Sequence, residues 1–436
     1  MFTVDNSQVE KYIDEVCSLV KNKKVHESIR IELRGHIEDL ISDYIDIGID
    51  EAEAIKKAVA QMGSAEIVGH DLNKVHKARP DWMLISISSI FLLIGILTMS
   101  HISKNGLVLK YGYDNILSRT IVYGVSGVVI TFILLKFHYV NLKKYSRYIY
   151  GGSIALLILT TYGGVPVFGR SYLYVGGIAI DSFTIGAFFL IICLAGMFDN
   201  WDWSSLRGIV VGFIVAFLPT LFFILGNSAS IIIIYFIAII SLMIVSGLRI
   251  KYIMVSLGGI ATLLLGFLLS APYRMERFIA IINPRSSNLQ YLYNSIHSLI
   301  SSAGFLGKGQ KITSAMLPEA HTDFVLTYII YAFGWIAGII LISLVIAFIV
   351  RIGFVAKGTK DRYGKLLVSG IFAMFTVQFI LSISTSLAIT LYPVVNMPFI
   401  SYGGTNLIIN ILSVGIVSNV YKWRNTPLIK EVKCKV

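Results

Sequence analysis

The sequence predicts an all-α protein, a polytopic membrane bundle of about ten transmembrane helices preceded by a small cytosolic helical domain. Composition is the first reason. Of 436 residues, 56% are hydrophobic and only 14% charged, with mean hydropathy +0.75; a soluble chain of this length needs far more charge to cover its surface. The second is segregation of charge. Residues 1–81 hold 16 of the 25 acidic and 11 of the 37 basic side chains, leaving nine acids against 26 bases in residues 82–436. The third is a succession of apolar runs of spanning length that starts at Trp82. These divide the chain into a helical prefix (1–81), a membrane domain (82–425) and a basic cytosolic tail (426–436). The net charge of +12 has a topological origin, and no basic-aromatic surface module accompanies it. Membrane lipids are therefore expected partners and nucleic acid is not.

In the prefix, Val9, Ile13, Val16 and Val20 recur at helical spacing, as do Ile29, Leu33, Ile37, Leu40 and Tyr44. A third helix starts at Ile49-Asp50-Glu51-Ala52-Glu53, with Asp50 placed to cap and Glu53 to reciprocate; Gly63 after Met62 ends it. No catalytic constellation is present, and His36 reads as a solvated or capping residue. The pattern from Glu32 and His36 to Gly63-Ser64-Ala65-Glu66 resembles the cytoplasmic helical prefix of some Firmicute permeases and membrane regulators. A docking or regulatory role is expected. Cys17, Cys193 and Cys434 lie too far apart in sequence for a disulfide framework or zinc-ligand spacing. The polar start shows no cleavable signal peptide, so the first span is expected to act as the insertion signal.

About 20 apolar residues cross a 30 Å hydrocarbon layer as a helix. Candidate spans are 82–100, 119–137, 147–165, 176–197, 207–225, 229–248, 252–270, 324–350, 366–390 and 404–421. An even number returns both termini to one side. Lys and Arg identify that side as cytoplasmic. They collect after span two (Lys136, Lys143, Lys144, Arg147), span six (Arg249, Lys251), span eight (Arg351, Lys357, Lys360, Arg362, Lys365) and in the tail.

The longest outward loop, about 271–323, is itself basic: Arg274, Arg277, Arg285, Lys308 and Lys311 stand against Glu276, Glu319 and Asp323. Bases outside run against the orientation bias, and a diphosphate-bearing lipid headgroup would account for them. Asp323 sits where this loop meets the apolar run Phe324–Val350. A carboxylate at that depth is costly unless paired or used. It can cap the helix beginning at Phe324 and also serve as a fixed functional group. Glu319 reads as a rim group and His321 as an orienting neighbour. Gly304, Gly307 and Gly309 mark a turn.

The run Leu317-Pro318-Glu319-Ala320-His321-Thr322-Asp323-Phe324 closely resembles the fourth extracellular loop of the SEDS family. Met397-Pro398-Phe399-Ile400-Ser401-Tyr402-Gly403-Gly404 resembles its second signature. Arg170, Gln378, Tyr273-Arg274 with Arg277, and the Gly304–Gly309 turn fall at family-like places, and the likeness covers about 85–425. The resemblance implies a lipid II polymerase of cell-shape, division or sporulation type. It places the family's essential loop-four aspartate at Asp323, as the base toward an attacking sugar hydroxyl, with cations stabilising the departing diphosphate. It implies substrate-binding roles for Arg170, Arg274, Arg277, Lys308, Glu319, His321, Gln378 and Ser401. A divalent cation (Mg or Mn) and a class B penicillin-binding protein, whose transpeptidase crosslinks the new strand, are the implied cofactor and partner.

The chain departs from the family pattern at four places. The usual Gln-Pro-Ser-Glu followed by Lys reads Ile180-Asp181-Ser182-Phe183 with Gly186, and Pro-Asp-Leu-Gly reads Leu225-Gly226-Asn227-Ser228. A glutamate pair before Leu-Gly reads Tyr331-Ala332-Phe333-Gly334, and Thr-Gly reads Pro393-Val394. Asp181 can supply part of the lost charge. A non-catalytic SEDS-like scaffold or regulator is the alternative; a lipid-precursor transporter would want more ionisable residues at mid-membrane.

Overall fold

The computed structural model describes residues 7–75, 80–105, 107, 115–167, 170–176, 178–269, 272, 275, 290–309, 312–313 and 316–424. There are two compact units, one built on Met1–Pro80 and the other on Asp81–Tyr421.

The first unit comprises α1 (Ser7–Leu19), α2 (His26–Asp46), α3 (Glu51–Gln61) and α4 (Ala65–Val75). The apolar stripes expected on α1 and α2 close a core of Val9, Ile13, Val16, Ile29, Leu33 and Ile37, completed by Ala54, Ile55 and Ala58 of α3. Ion pairs from Arg30 and Arg34 of α2 to Glu10 and Asp14 of α1 ring this core. The expected capping box does not form. Asp50 takes the N-cap position with extended backbone but its side chain makes no capping bond, and Glu53 pairs with Lys57 at 2.9 Å. Gly63 does end the turn, at φ +86°. Helix α4, which apolar spacing alone did not isolate, starts where Ser64 Oγ accepts the Ile67 N–H.

In the second unit, each of the ten apolar stretches falls on a helix. These are α5 (Trp82–Lys104), α6 (Ile116–Lys136), α8 (Ser146–Gly163), α9 (Ser182–Phe198), α10 (Leu206–Leu225), α11 (Ala229–Val245), α12 (Ile250–Leu269), α14 (Val325–Gly358), α15 (Arg362–Ser386) and α16 (Gly404–Trp423). Short α7 (Val140–Lys144) precedes α8, and α13 (Gln290–Ser302) lies within the long loop that the sequence reading left without an element. Among the described residues six of them, α5, α6, α10, α14, α15 and α16, are long and apolar enough to cross a membrane. The chain is a multi-pass membrane protein with an all-α bundle.

Spans three and four are shorter than expected. Helix α8 stops at Gly163, and three short antiparallel strands follow, β1 (Val165–Val167), β2 (Arg170–Val175) and β3 (Ile178–Ile180). Gly163, Gly164 and Pro166 cannot propagate a helix, and the Val, Tyr and Ile of this stretch suit a pleated ribbon. Val167 pairs with Arg170 and Val175 with Ile178, so the ribbon doubles back twice before α9.

Burial separates inner from peripheral helices. In the most apolar windows of α15 and α16, 72% and 61% of residues are buried, against 22% in α6. These two carry Ser369, Gln378, Ser382, Asn410, Ser413 and Asn419, all buried; polar side chains in a bilayer turn toward other helices, where they find partners and permit close packing. Phe91 of α5, Phe348 of α14 and Phe375 of α15 surround Phe399, with ring centroids 5.7–5.9 Å from its own, and Phe379 of α15 packs against those three. That cluster fixes the segment leading into α16.

Direct bonds join the alternate loops at one end of the bundle. Tyr139 donates to Asp361 at 2.8 Å, Lys143 pairs with Asp199, Trp203 donates to Ser246 Oγ at 2.8 Å, and Arg362 donates to Ser246 O at 2.9 Å. Asp81, 1% exposed, accepts from the N–H of Leu84 at the start of α5 and from Arg351 Nε near the end of α14, at 3.2 and 2.9 Å to its two oxygens. The loop containing Asp323 lies at the other end of α14.

Candidate active site

The segment before α14 is a tight turn with buried Leu317 and Ala320 as its anchors. Glu319 holds a positive φ of 51°, and its carbonyl accepts the N–H groups of Thr322 and Asp323 at 3.1 and 2.9 Å. Thr322 Oγ1 donates to Glu319 Oε2 at 3.1 Å, and His321 Nε2 lies 3.7 Å from the same oxygen. The Tyr402 N–H donates to His321 O at 2.8 Å, so the two sequence motifs meet through a backbone bond. Ser386 Oγ, at the end of α15, donates to Asp323 O at 3.5 Å.

Asp323 does not cap α14. Phe324 occupies the N-cap position and no side chain bonds there, which puts Asp323 one residue before the cap. Burial, and next the charge of Glu319, push the Asp323 carboxyl up to about 7, against a smaller downward pull from the Thr322 hydroxyl. Burial lowers the His321 imidazole, opposed by Glu319. At neutral pH the pocket thus presents a carboxyl near half ionisation, suited to taking and releasing a proton.

The glycine turn is a docking device. Gly304, Gly307 and Gly309 all have positive φ (67°, 83° and 60°), and α14 is broken at Gly334, at φ 89° and ψ 170°. The turn fills the break: Lys308 N–H donates to Tyr331 O at 3.0 Å, and Trp335 N–H to Gly304 O at 3.1 Å. A Cβ on Gly334 would stand 2.1 Å from Phe305 O. Tyr331-Ala332-Phe333-Gly334, one of the departures from the family pattern, is the stretch that receives this turn. Lys308 itself is exposed. Arg274 and Arg277, with Arg285 and Lys311, lie outside the described residues.

Arg170 and Gln378 come together elsewhere, in a small polar cavity of about 40 Å³. Arg170, on β2, donates through Nη2 to both oxygens of Asp181, at 2.8 and 2.9 Å. Asp181 also accepts the Thr184 N–H at 3.2 Å, which caps α9. The departed position therefore restores a carboxylate and binds it to Arg170. Sequence reading missed Thr184, Ser230, Asn396, Asn406 and Asn410 in this lining; the available signal was Asn at positions four apart in an otherwise apolar span. Arg170 Nε, Gln378 Oε1 and Asn410 Oδ1 are buried without a hydrogen-bond partner.

Cavity and turn are linked through α15 and the second motif. Gln378, Ser382 and Ser386 repeat every four residues, one face of a helix that rises about 12 Å between the first and last. Asn396, in the cavity wall, donates to Tyr402 O at 3.2 Å, and Tyr402 bonds the Asp323 turn as above. Ser401 closes the motif on itself, its buried hydroxyl accepting the Met397 N–H at 2.9 Å.

The family model described as cell cycle protein FtsW/RodA/SpoVE matches residues 81–426. Among curated proteins, stage V sporulation protein E of Bacillus subtilis is 25% identical over 362 residues, covering 80% of this chain and 98% of that protein. The probable peptidoglycan glycosyltransferase FtsW of Coxiella burnetii is 25% identical over 356 residues, covering 78% and 95%. A solved structure described as the structural coordination of polymerization and crosslinking by a peptidoglycan synthase complex aligns with TM-score 0.68 at 20% identity, over 79% of this chain and 98% of that one. The crystal structure of Thermus thermophilus rod shape determining protein RodA aligns with TM-score 0.60 at 18% identity, over the same shares. The chain belongs to the FtsW/RodA/SpoVE family of cell cycle proteins, the SEDS proteins.

Proposed function

We propose that this chain is a peptidoglycan glycosyltransferase that polymerises lipid II at the outer face of the cytoplasmic membrane, with Asp323 as general base. The observation that carries the proposal is the Asp323 carboxyl, half-buried at the mouth of α14 where the two family motifs meet and pushed up to about 7. The acceptor sugar hydroxyl gives its proton to Asp323 while its oxygen bonds to the anomeric carbon of the donor. The bond from that carbon to the diphosphate breaks, and undecaprenyl diphosphate departs with the electron pair. A single displacement inverts the anomeric centre. His321, whose imidazole is lowered by burial, and Glu319 orient the turn, and Lys308, Arg274 and Arg277 supply positive charge toward the diphosphate. Arg170 and Gln378 bind sugar or peptide groups in the polar cavity, with Ser401 holding the second motif in shape.

Both termini are assigned to the cytosol, because the bonded alternate loops carry most of the Lys and Arg. A class B penicillin-binding protein is the proposed partner, in keeping with the synthase complex whose fold the chain shares. The divalent cation implied by the family has no protein cage here: among the described residues no three His, Cys, Asp or Glu side chains gather to hold one. No step is assigned to it. Purified protein supplied with lipid II should yield glycan polymer, and the Asp323→Asn variant should yield none. Binding of lipid II without polymer from either protein would identify a scaffold instead.

A further inference from the structure

At the end of the bundle opposite Asp323, α6, α7 and α16 enclose a second cavity, of about 200 Å³. Leu134, Phe137, Leu142, Tyr145 and Ile416 give it a mainly apolar wall, to which His138, Tyr139, Asn141 and Asn419 add polar atoms. Asn419 Nδ2 donates to Leu134 O and Phe137 O, at 2.9 and 2.8 Å, tying the end of α6 to α16, and its Oδ1 is buried with no partner. Phe137 and Tyr145 are 59% and 53% exposed, so an apolar mouth opens outward where α6 ends and α7 leads into α8.

The chain beside the lining residues Phe137 and Tyr145 is basic. Lys136, Lys144 and Arg147 are exposed, and Lys144 Nζ stands 5.9 Å from the centre of the Tyr145 ring. The acids nearby are already engaged: Asp199 pairs with Lys143, and Asp361 accepts from the Tyr139 hydroxyl and the Gly364 N–H. A mainly apolar open cavity next to exposed bases that form no ion pair among the described residues matches one ligand chemistry, a lipid whose acyl chain leaves water while its phosphate meets cations. The geometry points to an anionic phospholipid site, distinct from the catalytic turn, with an acyl chain between α6 and α16 and the phosphate on Lys136, Lys144 and Arg147. It does not depend on polymerase activity. A neutral lipid would use the cavity and leave the rim unpaired; an acidic protein segment would use the rim and leave the cavity empty.

The test uses the full chain in detergent and phosphatidylglycerol or phosphatidylcholine carrying an acyl-chain diazirine, followed by peptide mapping of the crosslinks. Phosphatidylglycerol should label peptides spanning residues 134–145 or 416–419 in preference to phosphatidylcholine. Each of Lys136→Gln, Lys144→Gln and Arg147→Gln should weaken phosphatidylglycerol roughly fivefold. The same three changes at Lys357, Lys360 and Lys365, also exposed, should leave the preference intact. Leu142→Trp, which fills the cavity, should remove labelling by both lipids, with an unchanged elution profile showing the fold is kept. Equal labelling by the two lipids, crosslinks elsewhere on the chain, or equal losses from the two sets of lysine and arginine changes would overturn the proposal.

Discussion

Replacing Asp323 by Asn should separate catalysis from stability in opposite directions. Moving a carboxyl from its ordinary 3.8 up to about 7 corresponds to a preference of roughly 4 kcal/mol for the protonated form in the fold. The folded state holds this proton more tightly than the unfolded chain does. Its contribution is complete below about 3.8 and is lost as pH rises through 7. At pH 8 wild type folds with a charge in a site that resists it, whereas Asn keeps the shape without the charge. Because the carboxyl is partly exposed, solvent screening brings the expected gain for Asp323→Asn at pH 8 to about 2 kcal/mol, vanishing near pH 4. Polymerisation should move the other way, falling by about 10²-fold or more with loss of the base, and wild-type activity should rise with pH through about 7 and then level. Thermal unfolding of both proteins at pH 5 and pH 8, with lipid II polymerisation across the same range, reads both effects. A variant less stable than wild type at pH 8 would refute the reasoning, as would an activity limb centred near 4.

Glu319→Gln removes the second cause of the raised Asp323 value, so the acid limb of the activity profile should move to lower pH while polymer is still made; an unmoved limb would exclude the interaction. Gly334→Ala forces a Cβ against Phe305 O and a side chain into φ 89°, which should cost more than about 2 kcal/mol and loosen the Gly304–Gly309 turn, measurable as faster proteolysis of that loop. Asp181→Ala removes a cap of α9 and strands Arg170 in the polar cavity, for a combined loss of about 2–3 kcal/mol; recovery on also replacing Arg170 by Met would show that the stranded charge is the larger part.

What could be read from the sequence was whatever lies in local periodicity. The apolar stripes of α1 and α2 became a core because residues at positions i, i+3 and i+4 share a helix face in any context. The long apolar runs became helices because a chain in lipid must satisfy its own backbone. The β1–β3 ribbon was missed because hydropathy does not distinguish a short apolar strand from a turn of helix; only Gly163, Gly164 and Pro166 marked the change. In the site, Asp323 was legible from its place between a polar loop and an apolar run, and the Gly304–Gly309 turn from composition. Its dock at Gly334 was not, since the two segments bond only after α14 has broken. The Arg170–Asp181 pair likewise depends on a doubled-back ribbon, and the Tyr402–His321 bond joins residues whose proximity no local pattern encodes.

The pairing of acids gives the strongest physical reason to regard Asp323 as a working group. A bilayer makes an unpaired charge expensive, and the other acids described in the membrane unit are provided for. Asp81 is held by Arg351, Asp181 by Arg170 and Asp199 by Lys143. Asp361 has Tyr139 and the Gly364 N–H, exposed Asp202 has Ser204 and Ser205, and Glu319 has Thr322. Asp323 alone is half-buried beside another acid with no cation in ion-pair distance among the described residues, and its ionisation is made harder as a result. A carboxyl kept only for packing or capping would be more stable as Asn, and here it does not cap. The energy given up is intelligible if the proton must move: a base that is already neutralised by Arg could not take it, and a carboxyl at its ordinary value would hold it too weakly. The arrangement that is worst for folding at neutral pH is the one a glycosyl acceptor's hydroxyl requires.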